Sequence, residues 1–183
     1  MNNNEIQLII AHKYAKAFVN VFKDKIDLKD IEKLQSMQSY LEENRNLFVY
    51  FKLTVIDKSV KKEAFDKLLA LFELSNIYSD LTYLLIKDNR VQLIIYVIKE
   101  IIKVYKDYNN IMEFNILTSD KLSQNNLDYI KEFLKYKTNK KIIIKEQIDK
   151  SLIAGLKIYS DELEWQHSIR NDLNMLKNTK YIN

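Results

Sequence analysis

Cysteine and proline are both absent from this chain of 183 residues, and glycine occurs once, at Gly155. Without cysteine the chain can form no disulfide and no thiolate metal site, and it has no cysteine nucleophile. One glycine is too few for a glycine-rich loop that cradles phosphates. The two histidines, His12 and His167, have no carboxylate at ligand spacing, which argues against a metal centre or a catalytic triad. These absences predict a protein that binds no cofactor and is not an enzyme.

Long hydrophobic runs are also missing. The most apolar window, residues 91–102, is interrupted by Gln92, Lys99 and Glu100 and is too short to span a bilayer. The first five residues, Met-Asn-Asn-Asn-Glu, lack the basic start of a signal peptide. We therefore expect a soluble chain.

Neither sign of charge dominates, since 29 basic residues face 25 acidic ones and the formal net charge is +4. The lysines are scattered, which favours a solvated surface over a nucleic-acid-binding face. The alternative is a basic α+β nucleic-acid-binding protein. It would require Lys137, Lys140, Lys141 and Lys145 to form one patch whose affinity for nucleic acid falls steeply with salt.

Apolar residues recur at helical spacing as far as Tyr105 and predict six helices with short connections, which together form a bundle. Asp27 is expected to cap the second helix and Asp57 the fourth. The sixth helix, residues 91–105, has the strongest pattern. For the second to sixth helices, the expected inward residues are Ile31, Leu34, Met37 and Leu41; Leu47, Phe48 and Phe51; Val60, Ala64, Leu68 and Leu71; Leu81, Leu84 and Leu85; and Val91, Ile94, Ile95, Ile98, Ile101, Ile102 and Tyr105.

The first helix, residues 5–23, has two apolar stripes rather than one. They leave only a narrow polar strip, so the apolar arc is wider than a surface helix needs. Either this helix is central to the bundle, or part of the arc is open to a partner helix. The first stripe contains Leu8, Ala11, Ala15, Val19 and Phe22, the second contains Ile10, Tyr14, Phe18 and Val21, and the polar strip contains Lys13, Lys16, Asn20 and Lys23.

The periodicity changes at residues 108–110, which predicts a domain boundary between residues 1–109 and 110–183. Beyond it, alternation predicts a half-buried strand, then a helix capped by Ser123, then two further strands with Gly155 at the start of the second. A small α+β layer beside the bundle is the arrangement expected. The inward residues are Met112, Phe114 and Ile116; Leu127, Ile130, Phe133 and Leu134; Ile142, Ile144 and Ile148; Leu156 and Ile158; and Ile169, Leu173 and Leu176 on a final helix.

Three motifs resemble one family. Asp-Lys-Ser-Leu-Ile-Ala-Gly at 149–155, followed by Ser-Ile-Arg at 168–170, resembles the C-terminal signature of the delta subunit of F-type ATP synthases, whose mitochondrial counterpart is the oligomycin-sensitivity-conferring protein. Tyr-Ala-Lys-Ala-Phe at 14–18 and Leu-Leu-Ile-Lys-Asp-Asn-Arg at 84–90 resemble two further family motifs. Lys150 and Ala154 depart from the signature, as do Ser160 and Gln166. The residues that carry the resemblance are Tyr14, Phe18, Arg90, Asp149, Leu152, Ile153, Gly155 and Ser168.

The resemblance implies an N-terminal six-helix bundle followed by a smaller α/β domain, and a stator subunit in the peripheral stalk that holds the catalytic α/β head against rotor torque. It implies that the bundle takes the N-terminal helix of an α subunit in a groove between its first and fifth helices. It also implies that the C-terminal domain holds the end of the b-type stalk subunit. On this chain the groove would consist of Leu8, Ala11, Ala15, Val19, Leu81, Leu84 and Leu85.

The same resemblance implies a location at the cytoplasmic face of the bacterial plasma membrane, reached only through the complex. No homo-oligomer, nucleic acid or cofactor is expected. A third possibility, a small enzyme, finds no support, because Asp149 and Ser151 at the end of a strand are typical of a turn rather than of a nucleophile with its base.

Overall fold

The structure is a computed structural model that describes residues 3–53, 55–150, 156–160 and 164–166. The chain divides into two compact units, Met1–Tyr105 and Lys106–Asn183. As predicted, it is mainly helical with a smaller sheet. The elements are α1 Asn3–Phe22, α2 Leu28–Glu43, α3 Arg45–Lys52, α4 Lys58–Leu71, α5 Asn76–Lys87, a 3-10 turn Val91–Leu93, α6 Ile94–Tyr108, β1 Ile111–Thr118, α7 Gln124–Thr138, β2 Lys141–Ile148, β3 Leu156–Tyr159 and β4 Glu164–Gln166.

The start of α2 confirms the prediction at Asp27. Its carboxylate accepts a hydrogen bond from the backbone N–H of Asp30 at 2.8 Å, and the Asp30 carboxylate accepts one from the backbone N–H of Asp27 at 3.5 Å. This reciprocal pair is a capping box, which satisfies two N–H groups that the helix itself leaves free. The four inward residues predicted for α2 are all buried.

The predicted inward face of α4 is confirmed only in part. Leu68 is buried as predicted and Ala64 is half-buried, but Val60 and Leu71 are 44% and 65% exposed. Lys61, Phe65 and Leu69 are buried instead. Phe65 stacks on Phe51 of α3, with 4.0 Å between ring centroids, and burying this large ring sets the rotation of the helix. Lys61 lies one turn before Phe65 on the same face and is also buried, because the alkyl part of a lysine packs on apolar surface.

The N-cap of α4 differs from its prediction in one respect. Asp57 occupies the predicted position, but its side chain makes no capping hydrogen bond. The long helix expected at residues 91–105 is found, although its first three residues form a 3-10 turn. Its predicted inward residues are buried except Ile95, which is half-buried, and Val97 is buried as well.

Asparagine takes backbone positions that usually require glycine. Asn89, Asn110 and Asn139 have φ of 55°, 55° and 54°, and Glu73 has φ of 50°. Each lies just after a helix, where a left-handed residue commonly ends the helical hydrogen bonding. Asparagine tolerates this conformation better than most side chains do. The chain therefore ends these helices without glycine.

In the second unit, β1 is a central strand. The strand order is β2-β1-β3-β4, with β2 parallel to β1 and β3 antiparallel to it. Helix α7 connects the two parallel strands and is capped at Ser123, as predicted. The core contains Met112, Phe114, Ile116, Ile130, Phe133, Leu134, Ile142 and Ile158, with Leu127, Ile144 and Leu156 packed against it.

Strands β2 and β3 follow one another in the chain but are not neighbours in the sheet. They lie on opposite sides of β1. Ile148, predicted to face inward, is 54% exposed because it is the last residue of an edge strand. The backbone N–H of Asp149 donates to the Thr118 carbonyl at 2.8 Å, so the chain leaves β2 at the end of β1.

Four of the predicted motif residues, Leu152, Ile153, Gly155 and Ser168, lie outside the described residues, as does the predicted final helix with Ile169, Leu173 and Leu176.

Candidate partner-binding groove

The structure divides the predicted groove residues into a buried and an exposed group. Leu8 and Leu84 are each 43% exposed, while the other five are buried in the core of the first unit. Buried side chains have no surface to offer a partner, so these five cannot line a groove. The five are Ala11, Ala15, Val19, Leu81 and Leu85.

Tyr14 joins α1 to the end of α5. Its hydroxyl donates to the Asp88 carboxylate at 2.7 Å and accepts from Nη1 of Arg90 at 3.1 Å. The Arg90 guanidinium also lies 5.8 Å from the Tyr14 ring centroid, within range of a cation–π contact. Partial burial, followed by the hydrogen bond to Asp88, raises the pKa of Tyr14, while Arg90 acts in the opposite direction. Tyr14 and Arg90, predicted as motif residues, are thus in contact.

The two helices run antiparallel. Phe18, one turn after Tyr14, packs on Tyr78 near the start of α5, with ring centroids 5.3 Å apart. Tyr14 meets Asp88 just beyond the end of α5. Phe18 is buried at this contact and contributes to the core.

Part of the second stripe predicted on α1 lies at the surface beside this junction. Its residue Phe18 is buried, whereas Ile10 and Tyr14 are half-buried and Val21 is exposed. Ala17 shares the face of these three residues at spacings of three or four positions. Val21 is 71% exposed. On α5, Leu84 lies one turn before Asp88 and therefore faces the same side. Helical spacing places Ile6 on the face of Ile10 and Ile77 on the face of Leu84. We use the name α1–α5 groove for these side chains on the two helices: Ile6, Ile10, Tyr14, Ala17 and Val21 on α1, and Ile77 and Leu84 on α5.

Leu8 belongs to another side of α1. It lies six residues before Tyr14, which places it about 120° around the helix. That side leads towards His12, whose Nδ1 lies 2.8 Å from a carboxylate oxygen of Glu100 on α6. Of the residues predicted for the groove, only Leu84 therefore lies on it. The sequence shows both apolar stripes on α1. It does not show which stripe the core covers, and therefore which one is left for a partner.

One lysine proposed for nucleic-acid binding has an acidic partner. Glu113 of β1 accepts from Lys106 at 2.8 Å and from Lys145 at 2.9 Å. The Lys137 ammonium lies 5.7 Å from the Phe133 ring centroid. Since the charge of Lys145 is compensated locally, it is a poor phosphate ligand, and the alternative loses one of its four residues.

The described residues contain no group of three His, Asp or Glu side chains that could hold a metal ion. Among the helices of these residues, none is both long enough and apolar enough to cross a bilayer.

The sequence profile of the ATP synthase delta (OSCP) subunit matches residues 10–179, nearly the whole chain. The chain belongs to this family. The ATP synthase subunit delta of Clostridium botulinum is 32% identical over 146 residues, covering 79% of this chain and 80% of that protein. The subunit delta of Rickettsia canadensis is 25% identical over 176 residues, covering 96% of this chain and 94% of that protein.

A solved structure shares the fold of this delta-family chain. It is a chain of the Toxoplasma gondii mitochondrial ATP synthase hexamer, matched with a TM-score of 0.59 at 14% sequence identity over 94% of this chain and 98% of that one. As a delta subunit, the chain is a peripheral-stalk component of an F-type ATP synthase, a membrane-associated complex, and it binds other subunits of that complex.

Proposed function

We propose that the chain is a non-catalytic coupling subunit with one partner for each unit. The N-terminal domain, a six-helix bundle of residues 1–109 that contains the first unit, binds the N-terminal helix of an α subunit in the α1–α5 groove. The C-terminal domain, residues 110–183, lies within the second unit and binds the C-terminal end of the b-type stalk subunit. The complex that this link completes lies at the cytoplasmic face of the bacterial plasma membrane.

The observation that carries the proposal is the accessible apolar stripe on α1 beside Leu84. An amphipathic helix docks in an apolar groove through its own apolar residues at i, i+3, i+4 and i+7, and the stripe on α1 offers apolar surface along about three turns for such anchors. Burying a Val or Leu side chain contributes about 1.5–3 kcal/mol as an upper estimate, so Val21 and Leu84 alone represent a substantial apolar contact.

The mechanism required of a stator is mechanical. The link must remain bound while torque acts on the head, which demands slow dissociation rather than chemistry. A few central apolar anchors surrounded by a polar rim provide slow dissociation in protein interfaces. The α1–α5 groove has this composition, because its apolar stripe is bordered by Lys13 on α1 and by Asp80 and Lys87 on α5.

The experiment that tests the proposal is a titration of the full chain with a peptide of the N-terminal segment of the α subunit from the same genome. Leu84→Asp should weaken binding at least about ten-fold, because it places a charge in the apolar contact. Leu71→Asp is the matched control, since Leu71 is exposed on α4. Equal affinity of wild type and Leu84→Asp, with circular dichroism unchanged, would exclude this groove.

A further inference from the structure

Strand β2 forms one edge of the sheet, and its open side can be assigned residue by residue. In the sheet of the described residues it pairs with β1. The backbone N–H groups of Lys141 and Asp149 donate to the carbonyls of Asn110 and Thr118, both at 2.8 Å, so they point towards β1. Backbone groups of successive strand residues point to alternate sides. Those that point to the open edge therefore belong to Ile142, Ile144 and Glu146.

This edge has few of the features that protect sheet edges from other chains. Natural edge strands are commonly short, bulged or interrupted by proline. Strand β2 is eight residues long, and its pairing with β1 runs from Lys141 to Ile148 without a bulge. The chain contains no proline. The backbone of β2 is thus well suited to pairing with a further strand.

Helix α7 lies beside the open edge and completes a groove with it. The groove encloses about 340 Å³, far more than the roughly 30 Å³ that one water molecule occupies, so it has room for side chains. A strand edge beside a helix is the arrangement in which extended peptides bind by strand addition. The groove is lined by Leu127, Asp128 and Lys131 of α7 and by Ile142, Ile144 and Glu146 of β2.

The acidic side chains of the groove lie towards the end of β2. The backbone N–H of Leu122, just before α7, donates to Glu146 at 2.6 Å, so the start of α7 lies beside the end of β2. Asp128 is in the second turn of α7, where it accepts from the Gln124 side chain at 3.1 Å, and Lys131 follows almost one turn later. A carboxylate can accept several hydrogen bonds, so Asp128 can also bind a cation of a partner.

A second copy of β2 is a poor occupant of this edge. Antiparallel self-pairing about a two-fold axis has four central registers, centred on residues 143 to 146. They place Lys141 opposite Lys145, Ile142 opposite Glu146, Lys145 opposite Lys145, or Glu146 opposite Glu146. Like charges directly opposite each other destabilise a strand pair, and a carboxylate opposite an isoleucine gains nothing. The groove therefore favours a partner of different sequence.

We propose that the edge of β2 and helix α7 bind an extended segment of a partner protein, which adds to the sheet as a strand antiparallel to β2. Apolar side chains at alternate positions of the segment pack on Ile142, Ile144 and Leu127, and a lysine or arginine that precedes them reaches Asp128 and Glu146. Antiparallel pairing is slightly more stable per residue than parallel pairing, and it sets this order. The inference goes beyond the proposed function and does not depend on the α1–α5 groove.

The first test measures amide hydrogen exchange by NMR in the free full chain. The amides of Ile144 and Glu146 should exchange at least about ten-fold faster than those of Ile143 and Lys145, because only the second pair is bonded to β1. Equal protection of all four would overturn the inference, because the edge would already be covered. Protection that falls on dilution would identify a second copy as the cover, and protection that does not would identify the chain itself.

The second test adds the capped peptide Thr-Lys-Thr-Ile-Thr-Ile-Thr, whose Lys and two Ile would lie opposite Glu146, Ile144 and Ile142. At about 1 mM it should slow exchange at Ile144 and Glu146 about three-fold or more, which corresponds to a dissociation constant of about 0.5 mM or lower. N-methylation of its first Ile removes an N–H that faces β2 and should abolish the effect. N-methylation of the next Thr removes one that faces away and should leave it. No slowing, or equal loss from both methylations, would overturn strand addition.

The third test examines the basic residue of the partner. Asp128→Lys should weaken binding of the peptide about five-fold at low salt, and the loss should shrink at high salt, since exposed ion pairs are screened. Asp107→Lys is the matched control, because it makes the same change in charge at an exposed residue outside the groove. It should change affinity less than about two-fold. Equal affinities of the two variants would overturn the assignment of a basic residue to this end of the groove.

Discussion

The hydroxyl of Tyr14 and the carboxylate of Asp88 are hydrogen-bonded at 2.7 Å although they lie 74 positions apart in the chain. This contact fixes α1 against the end of α5 and stands at one end of the α1–α5 groove. The Tyr14 ring forms part of the groove surface, while its hydroxyl links the two walls. One residue therefore contributes both to the surface offered to a partner and to the spacing between the helices that form it.

Tyr14→Phe removes the hydroxyl and keeps the ring. We expect the free energy of unfolding to fall by about 1 kcal/mol, because the hydrogen bonds to Asp88 and Arg90 are lost at a half-exposed site. Urea unfolding with an unchanged m-value would measure this loss. Tyr136→Phe is the control, since Tyr136 is exposed on α7. A loss no larger than that of the control would mean that the contact contributes nothing to stability.

Tyr78→Phe should behave in the opposite way at neutral pH. Tyr78 is buried among the core residues of the first unit, and its hydroxyl finds no hydrogen-bond partner within the described residues. Removing an unsatisfied buried hydroxyl while keeping the ring is expected to be neutral or to stabilise by up to about 1 kcal/mol. Thermal unfolding of the two proteins measures the difference. A drop of more than about 1 kcal/mol would indicate that the hydroxyl is satisfied in solution.

At alkaline pH, Tyr78 makes the free energy of unfolding of the wild-type protein fall as the pH rises. Burial raises the pKa of Tyr78, and it also raises the pKa of Tyr105. Because the pKa is higher in the folded state, the unfolded chain loses this proton at a lower pH than the folded chain does. The contribution of the neutral tyrosine to the free energy of unfolding is therefore complete below pH 10 and declines above it. Above pH 10 the unfolding free energy should fall less steeply with pH in Tyr78→Phe, by at most about 1.4 kcal/mol per pH unit, which is the limit for one proton. Parallel curves for the two proteins would contradict this.

The rotation of α4 is tested by a pair of truncations. Phe65→Ala should lower the free energy of unfolding by about 3–5 kcal/mol, because it removes a buried ring that stacks on Phe51. Leu71→Ala should change it by less than about 0.5 kcal/mol, because Leu71 is largely exposed. The face predicted from sequence alone would make Leu71→Ala the costly change, so denaturant unfolding of the two variants distinguishes the two helix rotations.

A fragment of residues 1–109 should separate the two proposed binding functions. The buried residues of α1 to α6 all fall within it, so we expect it to fold and to bind the α-subunit peptide with the affinity of the full chain. It should not bind a peptide from the C-terminal end of the b-type subunit. Titration of both peptides against the fragment and the full chain measures this, with circular dichroism to verify folding. Tight binding of the stalk peptide by the fragment would refute the division between the units.

Local chemistry made part of this fold predictable. Asp27 and Ser123 each precede a helical pattern and can accept from the backbone two or three residues on, so both helix starts follow from the sequence. The alternation around Phe114 likewise predicts a strand with one buried face, which the structure confirms. These features depend on neighbours along the chain, and the sequence contains all of them.

The remaining features depend on contacts between distant segments. Val60 and Phe65 both belong to apolar rows on α4, and the buried row is the one that contains Phe65, whose ring stacks on Phe51. The same ambiguity affected α1, where Ala15 and Tyr14 lie on adjacent stripes and the sequence does not tell which stripe the core covers. The order of the strands was also beyond reach, because alternation marks a strand without naming its neighbours.

The central position of β1 has a consequence for synthesis on the ribosome. Ile111 pairs with Lys141, and Ile116 pairs with Ile158, so both neighbours of β1 are made thirty or more residues after it. During translation β1 emerges with two unpaired edges, and it stays so until α7, β2 and β3 have followed. Pairings this distant in sequence form slowly, and unpaired strand edges favour association with other chains. The nascent chain is thus most vulnerable to aggregation after the helices of the first unit are complete and before β3 leaves the ribosome.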